Sequence, residues 1–271
     1  MPHASREDDR MSDDDRGPIP LAEDPDPPAL PGTVRVGATP DATIDAIAAD
    51  LITQAIACVR EFGDFHLALS GGNTPMPLYE RLMYDPDFRS LPWRRTHLWI
   101  VDERCVPFDD PRSNFGRISE IVVAHSDIPA AQVHPIEATA DDAETRYERH
   151  LRETLAWREK GHDRLDFVLL GMGDNGHTAS LFPHTDVLRE EERLVGRCIG
   201  PEVEPERITM TYPLLNASRV LCPLVIGAGK AEMIRRVATG GDPVSEIPIK
   251  GIRPVGGELR WHLDAAAAGT P

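Results

Sequence analysis

The chain has 271 residues, 41% of them hydrophobic, enough to bury the core of one large domain or two small ones. Its net charge of −16 and pI near 5.0 set up a field that repels nucleic acid and anionic lipid, which excludes both as global electrostatic partners. Cys58, Cys105, Cys198 and Cys222 are scattered without a C-x-x-C pair, which argues against a zinc site or a disulfide framework and fits a reducing, cytoplasmic setting.

Residues 1–33 carry nine acids against three arginines, together with seven of the 25 prolines. Such a segment has too few apolar groups to offset its ordering entropy, so a disordered tail is expected there, with the catalytic body at 34–271. The opening MPHASREDDR has no apolar h-region of a secretory signal. No apolar run is read as approaching the roughly 20 residues that span a bilayer.

From Val34 onward, strand-like and helix-like segments alternate. Ile44, Ile47, Ala48, Leu51, Ile52, Ala55 and Val59 recur at three- and four-residue steps, the period of an amphipathic helix. FHLAL (65–69) reads as a buried strand and PLYERLMY as a helix. HLWIV (97–101) is a strand, NFGRISEIVVAH starts a helix, and 139–160 is helical with one strongly charged face. LDFVLL (165–170), RITMTY (207–212) and VLCPLVI (220–226) are further strands, and GKAEMIRRVA (229–238) is a helix. This alternation predicts an α/β fold in a single domain, a mainly parallel, Rossmann-like sheet with helices on both faces. Ligands of such sheets bind beyond the carboxyl ends of the strands, where each motif below falls.

SGGNTP (70–75) follows FHLAL. Its two glycines, its hydroxyls and the helix N-terminus behind it suit a phosphate. The plainer reading is a strand-to-helix turn with Thr74 as cap and Pro75 in the first helical position. It is not a Walker A loop, since no Gly-Lys-Ser/Thr follows. Asp102, Glu103 and Arg104 stand where HLWIV ends. A carboxylate there can do acid–base work and Arg104 can clamp an anion, or the three form a surface ion pair beside a polar loop.

GMGDNGHTASLFP (171–183) holds the letters G-x-G-x-x-G after a strand. A dinucleotide site needs a full helix after the third glycine, and Pro183 arrives seven residues on. The stretch LREEERLVGRC, where a second acid-ended strand should lie, is polar. A nicotinamide site is therefore rejected. His177 sits in this glycine turn between Asn175 and Thr178, able to exchange protons near neutral pH, although a satisfied structural histidine would look the same in sequence. No pair of histidines or carboxylates stands at metal-ligand spacing. Arg207 opens a strand and Lys230 lies in GAGK just after one, each either a surface cation or a partner for a bound phosphate.

SGGNTP, DERCVP with SNFG, GMGDNGHTASLFP, RITMTYPLLNASRV with GAGK, and LRWHLDAAAA occur together over about residues 34–268. In this they resemble the 6-phosphogluconolactonases, relatives of the glucosamine-6-phosphate deaminases. The resemblance implies hydrolysis of 6-phospho-D-glucono-1,5-lactone to 6-phosphogluconate in the oxidative pentose phosphate pathway. It implies no metal and no organic cofactor. By it, Ser70, Gly71, Gly72, Asn73 and Thr74 form a phosphate loop, Arg207 and Lys230 are phosphate ligands, and Arg104 points into the same pocket. His177 aligns with the general base. Asn175 stands where the family often has Asp, leaving hydrogen bonding to orient the histidine. Asp102 is the base available for an amino-sugar phosphate isomerase-deaminase, the rival enzyme. A non-catalytic sugar-phosphate sensor is the other alternative. The expected partner is a phosphorylated sugar lactone held by a monomer, with no nucleic acid and no membrane.

Overall fold

The computed structural model describes residues 27–201 and 203–269. In chain order it runs β1 (Thr33–Gly37), α1 (Pro40–Phe62), β2 (Phe65–Leu69), α2 (Met76–Tyr84), β3 (Thr96–Ile100), β4 (Asp102–Arg104), α3 (Asn114–Ile118), β5 (Val133–His134) and α4 (Ala143–Leu155). It continues with β6 (Phe167–Leu170), β7 (Val195–Cys198), β8 (Arg207–Met210), α5 (Tyr212–Ala217), β9 (Val220–Val225), α6 (Ala231–Thr239), β10 (Glu258–Asp264) and α7 (Ala265–Ala268).

Seven strands form one parallel sheet in the order β1-β10-β9-β6-β2-β3-β5. Every residue of β2, β6 and β9 is buried, as a parallel sheet covered on both faces requires. The chain winds toward β5 after β2 and toward β1 after β6, so the order reverses between these two neighbours. That reversal opens a crevice at the carboxyl ends of β2 and β6, where both glycine motifs emerge.

Helix α1 packs beside this sheet. Thr39 caps it by accepting the Ala42 N–H at 3.1 Å, and Gly63 ends it in the left-handed region at φ 90°. By length and by an 18-residue mean hydropathy of 1.5, α1 would suffice to cross a membrane, which corrects the sequence reading. Here its stripe of Ile44, Ile47, Ala48, Leu51, Ala55 and Cys58 is buried in the core instead.

Three further differences from the sequence reading matter. The body starts before Val34, because Thr33 opens β1, Leu30 is buried and the Pro31 carbonyl accepts the Trp261 indole N–H. Residues 1–26, which hold all nine acids of the expected tail, lie outside the described residues. RITMTY is not in the main sheet: Arg207–Met210 is the centre of a small antiparallel sheet ordered β4-β8-β7. The polar LREEERLVGRC ends in its edge strand, Val195–Cys198. Strict alternation along β8 with a charged end gave no sign of which sheet it would join.

Candidate active site

The cleft at the switch point is lined by Ser70–Pro75, Asp102, Arg104, Asn114, 171–173, His177, Ala179, Ser180, Phe182 and Arg207. Of the residues singled out in sequence, Lys230 and Asn175 stand beside the cleft rather than on its wall.

The loop after β2 is shaped by tight packing. The Ser70 hydroxyl donates to the Leu169 carbonyl at 2.7 Å, tying β2 to β6, and the Ser70 carbonyl accepts the Tyr79 hydroxyl at 2.6 Å. The Ser70 hydroxyl thus ties two strands together, while Ser70 still lines the cleft with 71–74. At Gly71 a Cβ would stand 1.8 Å from Asn114 Oδ1, so only glycine fits. Helix α2 begins at Met76 with no side-chain cap, which corrects the reading of Thr74 as cap. Thr74 lines the cleft instead.

Strand β4 divides its three side chains. Glu103 is fully buried and accepts from Arg104 N, Asn114 N, Phe115 N and Ser113 Oγ, all between 2.7 and 3.0 Å. It caps the short helix α3; burial pushes its carboxyl upward and these donors hold it back. Asp102 and Arg104 face the cleft. Asp102 Oδ2 accepts the Ser180 hydroxyl at 2.7 Å, and Ser180 N donates to Thr209 Oγ1 at 3.1 Å. These bonds dock the 171–183 segment on the small sheet. Arg104 lies opposite Arg207 in the β4/β8 register. Each guanidinium has one bond to a local carbonyl, Arg112 and Pro205 respectively. Arg104 Nε is buried without a partner, and burial followed by the Arg104 charge presses Arg207 below its ordinary value.

The segment after β6 has no helix. Gly173 N donates to the His177 carbonyl at 2.8 Å and Gly176 N to the Gly173 carbonyl at 3.0 Å, closing a turn, and Thr178 bridges Leu181. A Cβ at Gly173 would strike the His177 ring at 2.1 Å. A closed turn in place of a helix N-terminus removes the dinucleotide reading on structural grounds. Ala179 holds φ at 50°, a strained value for a residue with a Cβ, on the cleft wall.

His177 is held on two sides. Its ring stacks on Phe182 with centroids 4.2 Å apart, and Nδ1 lies 2.6 Å from Asn175 Oδ1. Asn175 Oδ1 also accepts the His177 backbone N–H at 3.2 Å. A backbone amide can only donate, so that atom is the amide oxygen, and the imidazole proton must sit on Nδ1. Nε2 is left with a free lone pair. Burial lowers the His177 pKa, Asp102 opposes this, and Lys230 and Arg207 reinforce it, so the neutral ring is favoured.

Lys230 Nζ pairs with Asp174 at 2.5 Å. Sequence reasoning missed Asn114, whose Nδ2 donates to the Asp102 carbonyl at 2.7 Å, and Arg117, which donates to Asn73 Oδ1 at 2.9 Å. The one available signal was the SNFGR run (113–117), which puts Asn114 and Arg117 three residues apart on one helix face.

Away from the cleft, the fold gathers Asp64, His66 and His97 with ligand-type atoms within 4.8 Å of one another, a cluster that spacing did not reveal. The donor set does not suit a metal. Trp99 donates to His66 Nδ1 at 3.0 Å, which puts the ring proton on Nε2, the atom turned to Asp64. Arg158 also claims Asp64 at 2.6 Å.

A family model described as glucosamine-6-phosphate isomerases/6-phosphogluconolactonase matches residues 38–261. The chain is 42% identical over 221 residues to a 6-phosphogluconolactonase of Synechocystis, covering 80% of this chain and 87% of that one. It is 37% identical to the GDH/6PGL endoplasmic bifunctional protein of Homo sapiens, of whose length it spans only 29%. The crystal structure of 6-phosphogluconolactonase from Thermotoga maritima superposes with a TM-score of 0.72 at 27% identity, covering 86% of this chain and 99% of that one. The chain belongs to the family of glucosamine-6-phosphate isomerases and 6-phosphogluconolactonases.

Proposed function

We propose that the chain hydrolyses 6-phospho-D-glucono-1,5-lactone to 6-phospho-D-gluconate. The observation that carries this reading is the single-proton state of His177: Asn175 holds the proton on Nδ1, and Nε2 stands free beside an anion-ready loop. Groups of the 70–74 loop with Arg104 and Arg207 anchor the phosphate, and Lys230 reaches it from beside the cleft once freed from Asp174. The anchor fixes the lactone carbonyl near His177 and removes much of the entropic cost of the encounter.

Nε2 takes a proton from water as the water oxygen bonds to C1. The tetrahedral intermediate collapses by breaking the bond from C1 to the ring oxygen, which receives the proton from the imidazolium. The new carboxylic acid then ionises. Phe182 and Asn175 keep the ring oriented through both transfers. No metal or organic cofactor has a role in these steps.

The test is the disappearance of freshly made 6-phosphogluconolactone with and without protein, corrected for spontaneous hydrolysis. No acceleration would overturn the proposal. Asp102 on the cleft wall favours a second reading, an amino-sugar phosphate isomerase-deaminase, since a carboxylate there can move a proton between adjacent carbons. Ammonia released from glucosamine 6-phosphate would support that reading instead.

A further inference from the structure

Asp174 and Asn175 are neighbours at the tip of one closed turn, and their side chains reach in opposite directions. Asn175 turns back to His177, while Asp174 reaches out to Lys230 on the turn after β9. The Lys230 side chain is mostly covered and Asp174 is 91% exposed. Lys230 is absent from the cleft wall in this arrangement. A cation suited to the substrate phosphate is thus already satisfied by a carboxylate of the protein.

We infer that Asp174 tempers the site's affinity for phosphate: it occupies Lys230 in the free protein and must be displaced by the substrate phosphate. This rests on the phosphate role of the cleft set out above. The physical argument is a competition for one ammonium. A carboxylate carries one charge, whereas a phosphate monoester carries close to two at pH 7 and three acceptor oxygens. A dianion already held by Arg104 and Arg207 wins the lysine, whereas a neutral or singly charged ligand does not. The displacement is inexpensive because the Asp174 half of the pair stands in water, which weakens the pair, so its cost to affinity is about two- to five-fold.

The test uses the full chain with Asp174→Asn, a change at an exposed side chain that keeps the shape. Inorganic phosphate is the probe, as a competitive inhibitor. The variant is expected to lower the inhibition constant for phosphate and KM for the phosphorylated lactone, each about two- to five-fold. Hydrolysis of unphosphorylated gluconolactone should not change, since nothing in that ligand draws on the lysine. In a Lys230→Ala background the Asp174→Asn effect should vanish. An unchanged or raised inhibition constant in Asp174→Asn overturns the inference. Arg207→Ala separates the two failures. If it weakens phosphate binding while Asp174→Asn does nothing, the cleft stands and the competition falls. If neither variant alters phosphate binding, the phosphate reading of the cleft falls with it.

Discussion

Arg104 and Arg207 stand directly opposite each other on neighbouring antiparallel strands, two guanidiniums in the position where cross-strand pairing disfavours like charges. Neither has a carboxylate within ion-pair distance among the described residues, and Arg104 Nε is buried unpaired. A fold that keeps such a pair holds unspent attraction for an anion. Glu103, directly before Arg104 in sequence, does not neutralise it, because its carboxylate is consumed by the start of α3.

Arg207→Ala should therefore separate activity from stability. Losing one charged contact of about 1.5–3 kcal/mol raises KM for the phosphorylated lactone roughly ten- to a hundred-fold. The melting temperature should stay level or rise, because the opposed charge is relieved. Equal weakening toward unphosphorylated gluconolactone would remove Arg207 from phosphate binding.

His177→Ala should lower kcat by about 10²–10⁴-fold with KM nearly intact, the usual size of a lost general base. Phosphate inhibition, which reads the other end of the cleft, should hold steady. Turnover at the wild-type rate would remove His177 from the mechanism.

Asn175→Asp keeps the bond to Nδ1 and adds a negative charge, which favours the imidazolium and raises the His177 pKa from its lowered position. The base works only when neutral, so the acid limb of kcat/KM against pH should move to higher pH. Asn175→Ala, which frees the tautomer, should lower kcat without that movement. An unmoved profile in the aspartate variant would show that another group sets the limb.

Acid stability provides a test that draws mainly on histidines outside the cleft. Burial lowers the pKa of His97 to about 4, His134 to about 3 and His262 to about 4. These rings are neutral in the folded protein, whereas in the unfolded chain they bind protons below about 6.5. Stability from this source is complete above pH 6.5 and is lost as pH falls toward 4 and then 3. The urea midpoint should therefore fall as pH drops from 6.5 to 5, as the unfolded chain takes up protons on these histidines. A flat midpoint there would contradict the expectation.

Local pattern made much of this protein legible in its sequence. Periodicity gave α1 and the buried strands β2, β6 and β9, because a buried strand and an amphipathic helix each need only their own residues to declare themselves. The glycine turns at 70–75 and 171–183 were legible for a similar reason: few side chains permit a turn that tight, as the contacts at Gly71 and Gly173 show. Their meeting at one crevice was decided by strand order, which no local stretch encodes. The small sheet was invisible because β4 is three residues long and β7 lies in a polar run, and long-range pairing alone brings Arg104 opposite Arg207. The same holds for the split between Asp102 and Glu103. In sequence they are adjacent acids, and only the pleat of β4 sends one to the cleft and the other to a helix cap. The sequence by itself determined which residue types were present for acid–base and anion chemistry. Which of them face one another, which are already spent on the fold, and that Lys230 is held by Asp174, were decided by tertiary packing, since each depends on distances between segments far apart in the chain.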